Sequence, residues 1–215
     1  MAVSLPDGVI LSLATSYGTA KSITAISNAN PGVITSASHG LSNGAFVEVK
    51  SGWQGINERI WRVSGVANGT LALEGADTTS TVQFPAGTGV GTLREITGFT
   101  QITQILETST SGGEMQFATY SFLESNFEAQ IPTQASAQSL SITVADDPTL
   151  LGYKALQVAA EKREVRALRV AFPNGSVLLY NGYVSFNETP SMTKGEVMGV
   201  QATFSLLSRP VRYAA

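Results

Sequence analysis

The stretch from Val165 to Tyr213 constrains this chain more than any other part of it. It reads VRALRVAF, the turn Pro173-Asn174-Gly175-Ser176, then VLLYNGYVSF, ETPSMTKGE and the alternating run VMGVQATFSLL. An Asn-Gly pair between two β-rich runs predicts a hairpin closed by a type I′ turn, whose two central residues both take positive φ. In the last run Met198, Val200, Ala202, Phe204 and Leu206 fall on one face, and Gly199, Gln201, Thr203 and Ser205 on the other. That two-residue period is the pattern of a half-buried strand, with one face in a core and one left polar.

A second run repeats the pattern. In QSLSITVA, residues 138–145, Leu140, Ile142 and Val144 alternate with Ser139, Ser141 and Thr143. Longer β segments FTQITQILET and MQFATYSFL precede it, separated by the Gly-rich loop Ser111-Gly112-Gly113-Glu114, read as flexible. A single helix is expected from Pro148 to about Lys162, with Asp147 as N-cap and Pro148 as first helical residue, positions those residues favour. Leu151, Ala155, Val158 and Ala159 are its expected apolar stripe, and Lys162 and Arg163 suit the negative end of the dipole.

The texture is different between Ser22 and Leu93. Short β segments ITAIS, GVITSA, AFVEVK, RIWRVSGV, TLALEG and TVQF follow one another, each bounded by Gly, Asn or Pro, and no helical period appears among them. The simplest organisation is discontinuous. Residues 1–21, with a first strand opened by the turn Pro6-Asp7-Gly8, join residues 94–215 in one domain, and residues 22–93 form a small all-β barrel inserted between them, as exposed turns with neighbouring ends permit.

Charge narrows the functional classes. Only 13% of the 215 residues are charged and the net charge is −3, so no basic surface is available for electrostatic capture of nucleic acid. The absence of cysteine excludes disulfide frameworks, thiolate metal sites and cysteine nucleophiles. The start MAVSLPDGVILSLA lacks the basic opening and apolar core of a signal peptide, and no run approaches the ~18 apolar residues of a membrane span. The expectation is a protein that stays where it is made, without membrane insertion.

Residues with chemical potential read mostly as structural. His39 is the single histidine and has no partner at ligand or catalytic spacing, so a turn residue bonded to backbone is expected. Asp146 and Asp147 lack the alternating oxygens of an EF-hand. Glu124 and Glu128 would need a helix to face each other as a glycosidase pair, and their segment reads as strand or turn. Gly87 to Gly91 lacks the Lys-Ser/Thr ending of a phosphate loop. Trp53, Trp61, Phe46 and Phe84 form either the core of the small barrel or a sugar-binding platform on it. Arg166 and Arg169, on an otherwise apolar strand, either meet acidic groups of a neighbouring subunit or face solvent. No catalytic residue, cofactor or metal site is expected.

Three segments, RALRVxFPNGS (166–176), NGYVSFxETPS (181–191) and KGEVMxVxATF (194–204), resemble the C-terminal part of siphophage major tail tube proteins. The resemblance spans residues 1–21 and everything after Leu93. The NPxxITxxxHGLxxG core at residues 30–44 resembles the small β-barrel module named from ubiquitin-activating enzymes, often present in phage structural proteins. Together these resemblances imply a mainly β fold: a tail-tube-type β-sandwich or barrel with one flanking α-helix, plus the small inserted barrel.

By resemblance, the chain is expected to be a virion structural subunit assembled in the bacterial cytoplasm. It would form stacked hexameric rings around a tape-measure protein, with help from tail assembly chaperones, and DNA would contact its lumen in passing. Ser139, Ser141, Thr143, Gln201, Thr203 and Ser205 are then candidates for the lumen or for ring contacts, and Ser111, Gly112, Gly113 and Glu114 for a loop reaching an adjacent ring. The alternative from another class is a carbohydrate- or cell-surface-binding β module acting through the Trp-bearing barrel.

Overall fold

The short, alternating runs fold into a single long curled sheet in the computed structural model, which describes residues 7–214. Pro6 of the expected opening turn, and the first residues behind the no-leader expectation, lie outside the described residues. β1 (Ile10–Tyr17) is followed by the short strands β2 (Lys21–Ile23), β3 (Ala25–Ile26), β4 (Val33–Thr35), β5 (Phe46–Ser51), β6 (Arg59–Ala67) and β7 (Thr70–Leu73). β8 (Gly91–Ile102) leads to β9 (Ile105–Ser111), then β10 (Met115–Tyr120), β11 (Ala129–Ala135) and β12 (Ser139–Ala145). After helix α1 (Leu151–Lys162) come β13 (Val165–Ala171), β14 (Val177–Ser191), β15 (Gly199–Leu206) and β16 (Val211–Tyr213).

The sheet runs β3-β4-β7-β6-β5-β8-β1-β13-β14-β15-β12-β9, with β2 added on β8 and β16 on β14. The hairpin β10–β11 stands apart from it. β8 is the seam. Its first residues pair with β2 and β5 and its last with β1, so the boundary expected at 93/94 falls inside one continuous strand. Leu93 and Ile96 belong to one core, centred on the short strands, while Ile102 belongs to a second core under the helix.

Where the cores meet, Glu48 is buried, paired with Arg94, and accepts a hydrogen bond from the Asn181 amide at 3.1 Å. Beside it the Tyr17 hydroxyl accepts the Ala167 N–H at 2.9 Å, and burial pushes its phenol pKa upward. The Arg94 guanidinium lies 4.1 Å from the centroid of the Tyr17 ring, so the charge of Arg94 is held between an aromatic face and a carboxylate.

Three local expectations are corrected. The hairpin at 171–177 forms, but Gly175 alone takes positive φ, +82°, and its N–H donates to the Phe172 carbonyl. Proline holds φ negative at the first corner of a type I turn, which puts Asn174 at the second corner, where φ is also negative. Its side chain accepts instead from Ser176 N–H and Oγ. Residues 81–84, read as strand TVQF, form a turn in which Phe84 N–H donates to Ser80 C=O.

The helix starts at Leu151 rather than Pro148, because Leu150 is extended (φ −71°, ψ 139°) and makes no side-chain cap bond. Asp147 caps a separate turn, accepting from Thr149 N–H and Oγ1. The helix buries Gly152, Tyr153, Leu156 and Ala159, while Leu151 and Val158 of the expected stripe stay exposed. The helix is apolar on more than one side, and Tyr153 decides which side is covered: its ring meets Phe186 edge to face at 4.9 Å.

Candidate assembly surface

The six residues singled out on the polar faces of β12 and β15 come together. Ser139 stands opposite Ser205, Ser141 opposite Thr203 and Thr143 opposite Gln201. β9 extends the rows on one side with Ser111, Ser109 and Glu107, and β14 on the other with Tyr183, Ser185 and Asn187. The result is a four-strand face of hydroxyls, amides and one carboxylate, without a lysine or arginine. Ser141 and Thr203 share a hydroxyl hydrogen bond of 3.1 Å, as do Ser111 and Ser139. The opposite side of the same strands, from Leu140, Ile142, Val200 and Phe204, fills the second core. The register therefore fixes which face is polar, since a one-residue slip would exchange the two sides.

This face ends at β9, the terminal strand of the sheet, whose residues from Leu106 onward are exposed. A terminal strand offers unpaired N–H and C=O groups to another chain. The Ser111–Glu114 loop turns the chain from β9 into the hairpin, with Gly112 and Gly113 at φ +78° and +84°. A Cβ on Gly112 would lie 1.8 Å from the Ala137 carbonyl oxygen, so only glycine fits. Ser136 N–H donates to Glu114 C=O at 2.8 Å, closing the base. The loop thus forms the root of the hairpin β10–β11.

That hairpin is the feature that reading the sequence misses. Every residue of β10 is exposed, and the tip presents Phe122, Leu123 and Phe127 to solvent, with Leu123 107% exposed. An isolated two-stranded ribbon is marginal in water, and a cluster of exposed apolar side chains marks an interaction site. The available signal is Pro132 in AQIPTQA: proline is excluded from central strands, and here it sits in β11 of a ribbon that pairs with nothing beyond β10.

The remaining candidates are tied into the chain's own structure. His39 is buried, accepts the Leu41 N–H at Nδ1 and so donates from Nε2 to the Ala67 carbonyl. Asp146 accepts from the Tyr153 hydroxyl. Glu124 and Glu128 stand exposed at the hairpin tip. Gly87 to Val90 form the loop that enters β8. Trp53 is 1% exposed, and its indole N–H donates to Pro85 C=O and Thr88 Oγ1; Trp61 is buried as well. Rings buried in this way form no sugar-binding platform. Arg166 pairs with Glu164 of its own chain, and Arg169 lies over the Phe99 ring at 4.5 Å. Both arginines are partly buried, so simple solvent exposure does not describe them.

A mainly β subunit with one flanking helix, a polar sheet face, a free edge and an apolar arm is the description of an assembly protein. A family model of phage tail tube proteins (TTP) matches residues 51–215, and the chain belongs to that family. It is accordingly a structural component of a virion tail that self-assembles into a tube. No curated protein matches the chain. The matched region begins inside the short-strand half and takes in β6 and β7.

Proposed function

We propose that the chain is the non-enzymatic major tube subunit of a long non-contractile tail, forming hexameric rings that stack around a channel for DNA. The observation that carries this reading is the four-strand face on β9, β12, β15 and β14, which bears no cation. A lumen must not hold phosphate, because each neutralised phosphate adds salt-dependent affinity that would stall passage. A face of Ser, Thr, Asn and Gln with Glu107 meets that requirement.

Rings require heterologous contacts that close, and stacks require contacts that do not. In this reading β9 pairs with a neighbouring subunit to continue the sheet around the ring, and the hairpin β10–β11, rooted at Ser111–Glu114, reaches the next ring. Residues 22–93 form an appended β module on the outside, where added mass leaves the channel clear. A tape-measure protein fills the channel until DNA displaces it, and chaperones cover the hairpin's apolar tip before assembly in the host cytoplasm.

Negative-stain electron microscopy of the purified protein over a range of concentrations tests the reading. Hollow rings or tubes are expected. A protein that stays monomeric at every concentration, even when tail initiator complexes are supplied, overturns it.

A further inference from the structure

We infer that the hairpin tip of one subunit docks on the groove between α1 and the β1–β8 pair of a second copy of this chain. The inference rests on the tube reading above and names the surface that the arm uses.

The tip has a particular chemistry. Phe122, Leu123 and Phe127 are exposed, and Glu124 and Glu128 stand among them with no ion pair among the described residues. No lysine or arginine lies between Met115 and Ala135. The partner surface must therefore be apolar and carry positive charge, since like charges brought together would oppose docking.

One groove joins an exposed apolar helix stripe to two lysines. The helix turns Leu151, Ala155 and Val158 toward a groove of about 330 Å³ whose floor includes Leu13 and Ala14 of β1. Leu151 is 74% exposed and Val158 43%. This is the second apolar stripe of the helix, and no described part of its own chain covers it. Lys154, Lys162 and Arg166 line the same groove. Arg166 is engaged by Glu164, but neither lysine is in an ion pair among the described residues, and Glu161 does not line the groove.

Two other concavities fit less well. The groove beside β9, about 610 Å³, is bordered by Asp7 and Glu107, which would face the tip's carboxylates. The hollow at the hairpin's root contains Arg59 and Arg209, but the Arg59 guanidinium already donates to the Gly55 and Arg209 carbonyls. Its wall also includes Ala135 and Ser136, at the foot of the hairpin's own second strand. Of the three, the helix groove alone sets two lysines, neither in an ion pair among the described residues, beside an exposed apolar helix stripe.

The test is a charge exchange in the full chain, read by the protein concentration at which tubes form. Lys154→Glu with Lys162→Glu, and separately Glu124→Lys with Glu128→Lys, are each expected to raise that concentration by about tenfold or more. Combining all four substitutions restores assembly, while Arg209→Glu leaves it unchanged. Thermal melting confirms that each variant is folded. Tubes forming at the wild-type concentration with Lys154→Glu and Lys162→Glu overturn the inference while leaving the tube reading intact, whereas a wild type that never assembles overturns both. Because the chain has no cysteine, a second measurement is free of background: Leu123→Cys and Val158→Cys chains are co-assembled and treated with a short bis-maleimide. Crosslinked dimers are expected, and tubes without the crosslink sink the assignment.

Discussion

Asn181 on β14 donates its amide to Glu48 on β5 at 3.1 Å, across the join between the two cores, and donates also to the Glu58 carbonyl at 3.1 Å. Glu48 has no exposed side-chain surface, and Arg94 is its ion-pair partner. Arg94 is 33% exposed and can turn to water when its partner is removed, but the buried Asn181 amide loses an acceptor. Glu48→Ala is therefore expected to destabilise the protein by about 1–3 kcal/mol. Glu74→Ala, which breaks a surface pair with Arg62, is expected to cost about 1 kcal/mol or less. Denaturant unfolding measures both. Equal costs would show that the join does not depend on this network.

Gly152 sets a second test, because two effects oppose each other there. Alanine is the better helix former by about 1 kcal/mol. Yet a Cβ at this position would lie 2.6 Å from the Gln101 carbonyl oxygen and 2.8 Å from the Ile102 Cα. Both are backbone atoms of β8, which cannot rotate away, and overpacking of this kind costs about 1–3 kcal/mol. The clash should win, so Gly152→Ala lowers the melting temperature. A rise in melting temperature would mean that the helix can lift from the sheet without penalty.

Tyr213 makes stability fall in strong alkali. Burial raises its phenol from 10.0 to about 12, and its hydroxyl accepts the Arg62 N–H at 2.7 Å while donating to the Glu74 carbonyl. Between these two values the unfolded chain loses the proton and the folded chain keeps it, so stability declines as pH rises through that window. The contribution is fully present below pH 10.0. Tyr213→Phe should shallow the decline between pH 10.0 and about 12 while lowering stability at neutral pH by about 1–2 kcal/mol through the lost hydrogen bonds. Melting curves at stepped pH read both effects, and an unchanged alkaline slope in the variant would contradict them.

What the sequence discloses follows from how local the signals are. The faces of β12 and β15 are readable because a two-residue period with bulky apolar residues on one side has a single solution. The way those faces combine with β9 and β14 is not, because register between strands distant in sequence leaves no local trace. The helix is legible, but the side it buries is not: Leu151, Ala155 and Val158 obey the helical period as well as Tyr153, Leu156 and Ala159 do. Periodicity offers no choice between two apolar stripes, and the larger aromatic takes the core. The arm escapes for the opposite reason. MQFATYSFL looks like a core strand, and only the absence of any covering element, a tertiary fact, exposes it.

The polar face yields the sharpest test of the tube, since it separates inside from outside. Thr203 lies at the centre of the four strands and Asn68 is exposed at the β6–β7 turn of the short-strand half. With no native cysteine to compete, Thr203→Cys and Asn68→Cys each introduce a single reporter. Threonine to cysteine is a small change at a half-exposed position, so folding should be kept. In the monomer both cysteines should react with a maleimide carried on a long polymer, the more exposed Asn68→Cys the faster. In assembled tubes Asn68→Cys should keep its rate, while Thr203→Cys should react only with a small maleimide able to diffuse along the channel. If Thr203→Cys reacts with the polymer reagent as fast in tubes as in the monomer, the face of β9, β12, β15 and β14 lies outside. The lumen would then have to be sought on another part of the sheet.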